Sequence, residues 1–586
     1  MSAANAPTQS QLEKDIELIK LIRSRGLVPL ITAEERPDVP RLSDVQGDVI
    51  YGFPKASLNH ALNIEWFFFF RIADSGSFKA GLSNPDFKPT SSEDVKNNLL
   101  KIGKARQEAK LSGEEVKRVK LQQYQIAFSK TGLLVLGIQD GIADARFDQR
   151  CMRDDRVFLG DQGKWDDLFD KPGYNEKDGS AHDVNNPRAL HGVFVIAGDD
   201  DKECADITEK LKGIFKSSIE IPENGIVQGH VRPERHLEHF GFRDGISQPA
   251  IRNLEYPLPG QNQVDPGVIV TGYKGDPVGS KRPDWAKNGA MLVFRKLEQS
   301  VVAWDNYMLD HGQDYKDVPG GKAGVNPELS QEDGAKLLAA RLVGRWPSGA
   351  PIALKETSLK DDPKMGEDPK RNNNFDYSVY DVPGVSAQTP SDYYCPFTAH
   401  VRKTAPRNLD PYVARQYLES GSIIRAGITY GPEVTQKERD DKKDSEEEKF
   451  KRGLLFVCYA SHLDSGFVRQ TTGYGNNDFF PITGLVPNNH GQDPIIGGPP
   501  AKGSSGEERD ANLDAKPAKP FANGDQLDIK LKVPGDTLNR YQVTGHVEIQ
   551  PLTQAVIDFP FFVTSRGGEY FFVPSIPTLK TWGTAN

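Results

Sequence analysis

An α+β fold, with sheets covered by helices, is what this sequence predicts, on three observations. Strand-like runs alternate with helical ones through most of the 586 residues, the pattern of mixed layers around a core. No glycine-rich phosphate loop of the GxxxxGK type is present to mark a nucleotide-binding sheet. Glycine (55) and proline (41) are both frequent, above their usual shares of roughly 7% and 5%, so many turns between compact sheets are expected. At 37% hydrophobic residues the chain can fill a sizeable core. Its length allows roughly two to four domains of about 150 residues each.

The elements follow in order. In residues 11–25, Leu12, Ile16, Ile19 and Ile22 recur at helical spacing, giving an amphipathic helix that ends at Gly26. Pro29, Pro37 and Pro40 mark a leader, so residues 1–42 read as an N-terminal extension. Ile64–Ile72 reads as a strand, and its apolar centre, Trp66–Phe70, as buried. Ser91–Lys110 is a predicted helix, Gln123–Phe128 a strand, Gly192–Ala197 a buried strand and Ala205–Phe215 a helix. Arg252–Asp276, rich in Pro and Gly, is the candidate hinge between two halves. Beyond it come a strand at Ala290–Phe294, a charged loop at Lys360–Asn374, a helix at Gln331–Val343 and a buried strand at Gly453–Ala460. Lys437–Lys451 mixes both signs so closely that a solvated helix or flexible excursion is expected. Pro494–Pro520 reads as a long mobile loop. No fixed-period repeat is present, which disfavours solenoids and propellers.

Charge and cysteine usage narrow the function classes. The net charge of −9 repels phosphate backbones, so nucleic acid is not an expected partner. No apolar run approaches the roughly 18 residues of a membrane span. Met1–Lys20 has no basic start followed by an apolar stretch, so no secretory signal is visible and a cytoplasmic address is the direct reading. A mature secreted chain or unconventional export would leave the same sequence. Cys151, Cys204, Cys395 and Cys458 lie far apart with no CxxC pair, and four buried thiols are expected.

None of the eleven histidines sits in HExxH or in zinc spacing, and neither GxSxG nor a Walker lysine occurs. Three segments carry candidate chemistry: Glu238–Ile251 (EHFGFRDGISQPAI), Tyr394–Arg407 (YCPFTAHVRKTAPR), and Ile423–Glu433 (IIRAGITYGPE) with Gly453–Tyr459 (GLLFVCY). Taken singly, each has an ordinary explanation. Asp244–Gly245 is a turn dipeptide, His400 between Ala399 and Val401 can be a satisfied half-buried histidine, and Arg425 can pair with any carboxylate.

In their order and wording these segments resemble one family, the dye-decolorizing peroxidases, and in particular their fungal branch. The family's GxxDG motif stands as Gly241 to Gly245, its CPFxAHxRKTxPR segment as Cys395 to Arg407, and its RxGIxYGPE segment as Arg425 to Glu433. Asp44 to Pro54, Arg282 to Ala286, Arg341 to Trp346 and Arg566 to Phe572 fit as well, so the resemblance runs over about residues 43–580. It implies two ferredoxin-like halves of the dimeric α/β-barrel type with antiparallel sheets, residues 43–251 and 277–586, joined by 252–276, with the haem mainly in the C-terminal half.

The resemblance also implies chemistry. His400 is the family's position for the axial ligand of haem b, one per chain, and an unidentified acidic partner should hold the other imidazole nitrogen. Asp244 would be the acid/base group for hydrogen peroxide, in an ionised form that favours acidic pH. Arg425 would stabilise the departing hydroxide. Leu454 and Phe456 match apolar positions that narrow the pocket, and Arg402 is a candidate propionate contact, with a merely structural arginine as the alternative. Oxidation would proceed through ferryl intermediates. Bulky aromatic donors (dyes, phenolic or lignin-like compounds) would lose electrons through surface aromatics. Tyr430 and Tyr474 are the candidates, with Trp346 the alternative; the Tyr at 474 departs from the tryptophan of some relatives. The rival readings are a haem-binding or haem-iron-handling protein with incidental peroxidase activity, and a chlorite-dismutase-type enzyme, a group lacking the GxxDG carboxylate.

Overall fold

The computed structural model describes residues 38–53, 64–114, 119, 121–161, 163–170, 182–233, 237–312, 330–378, 394–409, 413–477, 480–481, 492–497, 526–532, 541–548 and 562–584. The predicted helix at 11–25 and most of the predicted loop at 494–520 lie outside them. The strands are β1 (Ile64–Ile72), β2 (Gln123–Phe128), β3 (Gly192–Gly198), β4 (Ile219–Glu220), β5 (Ile226–His230), β6 (Ala250–Ile251), β7 (Gln263–Val264), β8 (Ala290–Gln299), β9 (Ile424–Arg425), β10 (Ile428–Tyr430), β11 (Gly453–Ala460), β12 (Gln526–Lys532), β13 (Tyr541–Glu548) and β14 (Val563–Val573).

Two four-stranded units of the same topology build the main sheet. In the first, β2, β3, β1 and β5 lie side by side; in the second, β10, β11, β8 and β14. Every pairing within them is antiparallel. Numbering the strands 1 to 4 within each unit gives the spatial order 4-1-3-2 in both, the ferredoxin-like arrangement. β14 joins β2 through Phe572 and Phe128. At the other seam, Thr429 Oγ1 on β10 donates to the His230 carbonyl on β5 at 2.6 Å. The two units therefore wrap around one interior.

Phenylalanines fill that interior. Phe67 and Phe69 alternate with Phe68 and Phe70 on β1, and all four are fully buried. Phe67 and Phe69 pack on Phe294 of β8 across the barrel, with centroids 4.7 and 5.1 Å apart. Phe70 faces the other way, against Phe78 and Phe194, which the helix Asp201–Phe215 covers with Phe215. Each such burial stabilises by roughly 1.5–3 kcal/mol, and these rings pack the barrel centre as a core. A strand buried on both faces lacks period-2 alternation, yet its run of aromatics identifies it.

Several predicted boundaries shift for local reasons. The helix predicted from Ala205 starts at Asp201, because the Asp200 carboxylate accepts the Glu203 amide as an N-cap. β8 runs five residues past the predicted Phe294, since Arg295–Glu298 stay in register with β11 and Gln299 with β14 although mostly polar. Within the charged loop 360–374 lies a short helix, Pro363–Glu367, capped by Asp362. Lys437–Lys451 is not a free excursion: Asp444 accepts the amides of Val302 and Ala303 at the start of helix Val301–Gly312, and Glu438 is buried against Arg452. Residues 252–276 are packed rather than hinge-like. Leu254, Val264, Val268, Ile269 and Val270 are buried, and β7 pairs with β6 in parallel. All four cysteines are buried free thiols. Among the described residues no helix is long and apolar enough to cross a membrane.

Candidate active site

The register of β8 and β11 places the candidate cavity. Phe294 points into the barrel, so its neighbour Arg295 points outward, and Phe456 and Leu454 on β11 stand opposite Arg295 and Leu297. The outer face of the second unit's sheet thus forms one wall of a cavity of about 240 Å³. Asp244, His400, Arg425, Leu454 and Phe456 all line it.

Asp244 sits in a loop without regular structure. Gly241 and Gly245, on either side, adopt φ +86° and +78°, conformations costing an L side chain roughly 1–2 kcal/mol. This explains both glycines of the motif. The turn brings the Gly245 amide onto Asp244 Oδ1 at 2.6 Å. Arg425, on β9, reaches the same oxygen through Nη1 at 2.5 Å. The carboxylate is 37% exposed, but that exposure is to the cavity. Burial pushes its pKa up; the Arg425 guanidinium, the Gly245 amide and the more distant His400 outweigh burial and hold it below the usual range.

His400 opens a five-residue helix, His400–Thr404. Its Nδ1 lies 2.8 Å from Asp493 Oδ2, and Asp493 is almost fully buried. The other carboxylate oxygen accepts the amides of Ile495 and Ile496 at 2.8 and 3.1 Å, which locks the acid in its turn. With Nδ1 committed to the carboxylate, Nε2 is the nitrogen left for a ligand. Asp493 is 93 residues from its partner and has no sequence signal; only the fold joins them.

Two further cavity residues went unpredicted as contacts. Arg345 and Arg407 are buried side by side, and among the described residues their hydrogen-bond partners are neutral: the carbonyls of Gly349, Asn372, Gly260, Asn373 and Phe375, the Ser247 hydroxyl and the Asn373 side chain. Burial, then the neighbouring Arg407, pushes the Arg345 guanidinium down to about 9. Two buried cations with no carboxylate among their described hydrogen-bond partners, beside a mostly apolar cavity, fit a planar apolar cofactor that carries carboxylates. The donor set therefore fits a haem.

Three sequence expectations need correction. Arg402 does not line the cavity. Two residues along the helix from His400, it points away, donates to the Cys395 carbonyl and lies between the rings of Phe397 and Tyr377 at 4.2 and 4.5 Å. Tyr430 and Tyr474 are not surface residues, being 7% and 2% exposed. Tyr430 turns inward from β10 under Lys296. Tyr474 belongs to a π-helix, Asp464–Gly475, where it stacks on Phe480 and is covered by Tyr417. Trp346 is also buried, its indole N–H bound to the Thr357 carbonyl.

Comparisons with known proteins agree with this architecture. Residues 44–233 match the DyP dimeric alpha+beta barrel domain. The dye-decolorizing peroxidase msp1 of Mycetinis scorodonius is 34% identical over 547 residues, 92% of this chain and 87% of that protein. AauDyP1 of Auricularia auricula-judae is also 34% identical, over 98% of this chain and 93% of its own length. The solved structure of an ancestral D-type dye-decolorizing peroxidase superposes with a TM-score of 0.70 at 35% identity, covering 93% of this chain and all of that one. The chain belongs to the dye-decolorizing peroxidase family, alongside its fungal members.

Proposed function

We propose that this haem peroxidase binds one haem b in the cavity described and uses hydrogen peroxide to oxidise bulky aromatic donors such as dyes and phenolic or lignin-like compounds. The observation that carries the reading is a single cavity lined by a carboxylate-held imidazole, His400–Asp493, and by a carboxylate–guanidinium pair, Asp244–Arg425. Asp244 would come from an N-terminal half at 43–251, and His400 and Arg425 from a C-terminal half at 277–586, with 252–276 between them.

Each residue has a physical role in that reading. His400 Nε2 would offer its lone pair to the iron, while Asp493 accepts Nδ1–H and would make the imidazole a stronger donor. Arg345 and Arg407 hold the carboxylates, which would neutralise two buried charges. Leu454 and Phe456 leave space for a molecule as small as peroxide. Bound haem iron supplies the two-electron reduction of peroxide and stores the oxidising equivalents. Asp244 takes the proton from one peroxide oxygen and returns it to the other. Arg425, already on that carboxylate, stabilises the negative charge that develops on the departing oxygen. Peroxide-dependent bleaching of a sulfonated anthraquinone dye by the haem-loaded protein tests the whole; tight haem binding without turnover would favour a haem-handling protein instead.

Asp493→Asn tests the imidazole's partner. A neutral amide pulls less on Nδ1–H, so the ferric–ferrous reduction potential should rise, and haem affinity should fall by about 10–100-fold, the usual cost of losing such a partner. An unchanged potential in spectroelectrochemistry would contradict the role.

Large donors need an exit for electrons. Tyr474 lines the cavity, and its ring meets that of Tyr417 edge-on at 6.5 Å. Tyr417 is 46% exposed, with Arg469 4.3 Å above the ring. This geometry supports Tyr474 as an inner station and Tyr417 as the surface terminus. Tyr417→Phe and Tyr474→Phe should each remove most dye oxidation and leave a small donor's turnover near parental. Parental dye rates in the double variant would move the exit elsewhere.

A further inference from the structure

The segment that carries Asp244 contains a polar side chain that the peroxide chemistry leaves unused. Gln248, four residues on, spans both backbone groups of Arg425. The Arg425 amide donates to Gln248 Oε1 at 3.0 Å, and Gln248 Nε2 donates to the Arg425 carbonyl at 2.6 Å. A neighbouring strand would make the same two bonds. β9 is only two residues long and pairs with β11 alone, so the Gln248 carboxamide supplies the missing edge. Gln248 is itself braced, since Gln261 Nε2 donates to its carbonyl at 2.9 Å.

Asp244 and Arg425 are 181 residues apart in sequence, and nothing local brings them together. We propose that Gln248 is a positioning residue for the peroxide step. Its carboxamide fixes the Arg425 backbone against the Asp244 loop and thereby holds the guanidinium on the carboxylate. The inference rests on the roles assigned to Asp244 and Arg425 above. Its consequence is chemical as well as geometric. Asp244 is faced by Arg425 from β9, by His400 from its short helix and by Glu238 within its own loop; Arg295, Arg345 and Arg407 stand around the same cavity. Of these, Gln248 holds only Arg425. When Arg425 drifts, burial dominates, and the carboxylate protonates at higher pH.

The test is stopped-flow reaction of the haem-loaded parent, Gln248→Leu and Gln248→Glu with hydrogen peroxide from acid to neutral pH. Fluoride binding to the resting ferric protein is titrated alongside. Gln248→Leu should slow the peroxide step at least about tenfold, part of what a whole preorganised donor supplies. It should also move the acid limb's midpoint upward and weaken fluoride binding, with haem content and melting near parental. Gln248→Glu keeps the acceptor but sets an oxygen against the Arg425 carbonyl; it should change in the same direction and carries the test if the leucine variant does not fold. Profiles that superimpose on the parent would overturn the proposal, as would a slower rate with an unmoved midpoint, the mark of general loosening. A parent that does not react with peroxide would overturn the function itself instead.

Discussion

His400→Ala is expected to strip the protein of most of its haem. Among the described residues the imidazole is the one ring in the cavity wall whose Nδ1 is held by a buried carboxylate and whose Nε2 is left for a ligand. Other buried histidines are committed elsewhere: His191 Nδ1 accepts the Ile72 amide, and His239 Nε2 lies on the Tyr430 carbonyl. Burial pushes both down to about 4, which keeps them neutral and structural. Among the described residues no cluster of three metal-binding side chains offers a substitute. The check is the haem-to-protein ratio after reconstitution, with low-temperature iron spectroscopy. Full occupancy with an unchanged iron spectrum would remove His400 as the ligand.

Asp244→Asn should retain haem and fold but slow the peroxide step by about 10²–10⁴-fold, the usual worth of general acid–base help. An amide cannot take the proton, whereas its shape still fills the turn. The pH dependence carries the sign of the same argument. Asp244 works as the ionised base, and Arg425 holds its pKa below the usual range. The parental rate should therefore persist into acid and fall only as pH drops through that lowered value. Arg425→Leu removes the strongest opposing influence, so burial should carry the acid limb upward while the rate falls at least about tenfold. Stopped-flow rates within about twofold of the parent for Asp244→Asn, far short of that range, would refute a necessary role.

How much of this was legible in the sequence depends on how local each signal is. β1, β2 and β11 have the predicted bounds because a short apolar run is complete in itself. The outer half of β8 was missed because Arg295, Leu297 and Gln299 face a cavity, and polar cavity residues end an apolar pattern early. Asp244, His400 and Arg425 were found through motifs whose physical reasons are local: two left-handed glycines, a helix start and a strand end. Asp493 could not be found, because a turn aspartate becomes a ligand's partner only when 93 residues fold between them. Arg345 and Arg407 stood inside matched phrases, but their significance lies in lacking a charged partner among the contacts described, a property of packing. For Arg402 the structural alternative fits better than the propionate contact, because residues two apart on a helix do not share a face. Nothing near Tyr474 in sequence announces that Tyr417 covers it, so its burial is a property of the fold alone.

The central claim is that this cavity holds a haem on which peroxide reacts. The direct measurement is the visible spectrum of the haem-loaded protein before and after one equivalent of hydrogen peroxide. A Soret band that shifts on mixing, returns when an aromatic donor is added, and fails to shift at the parental rate in Asp244→Asn is the predicted result. A band that stays in place with peroxide in the parent, or that shifts equally fast without the Asp244 carboxylate, would contradict it.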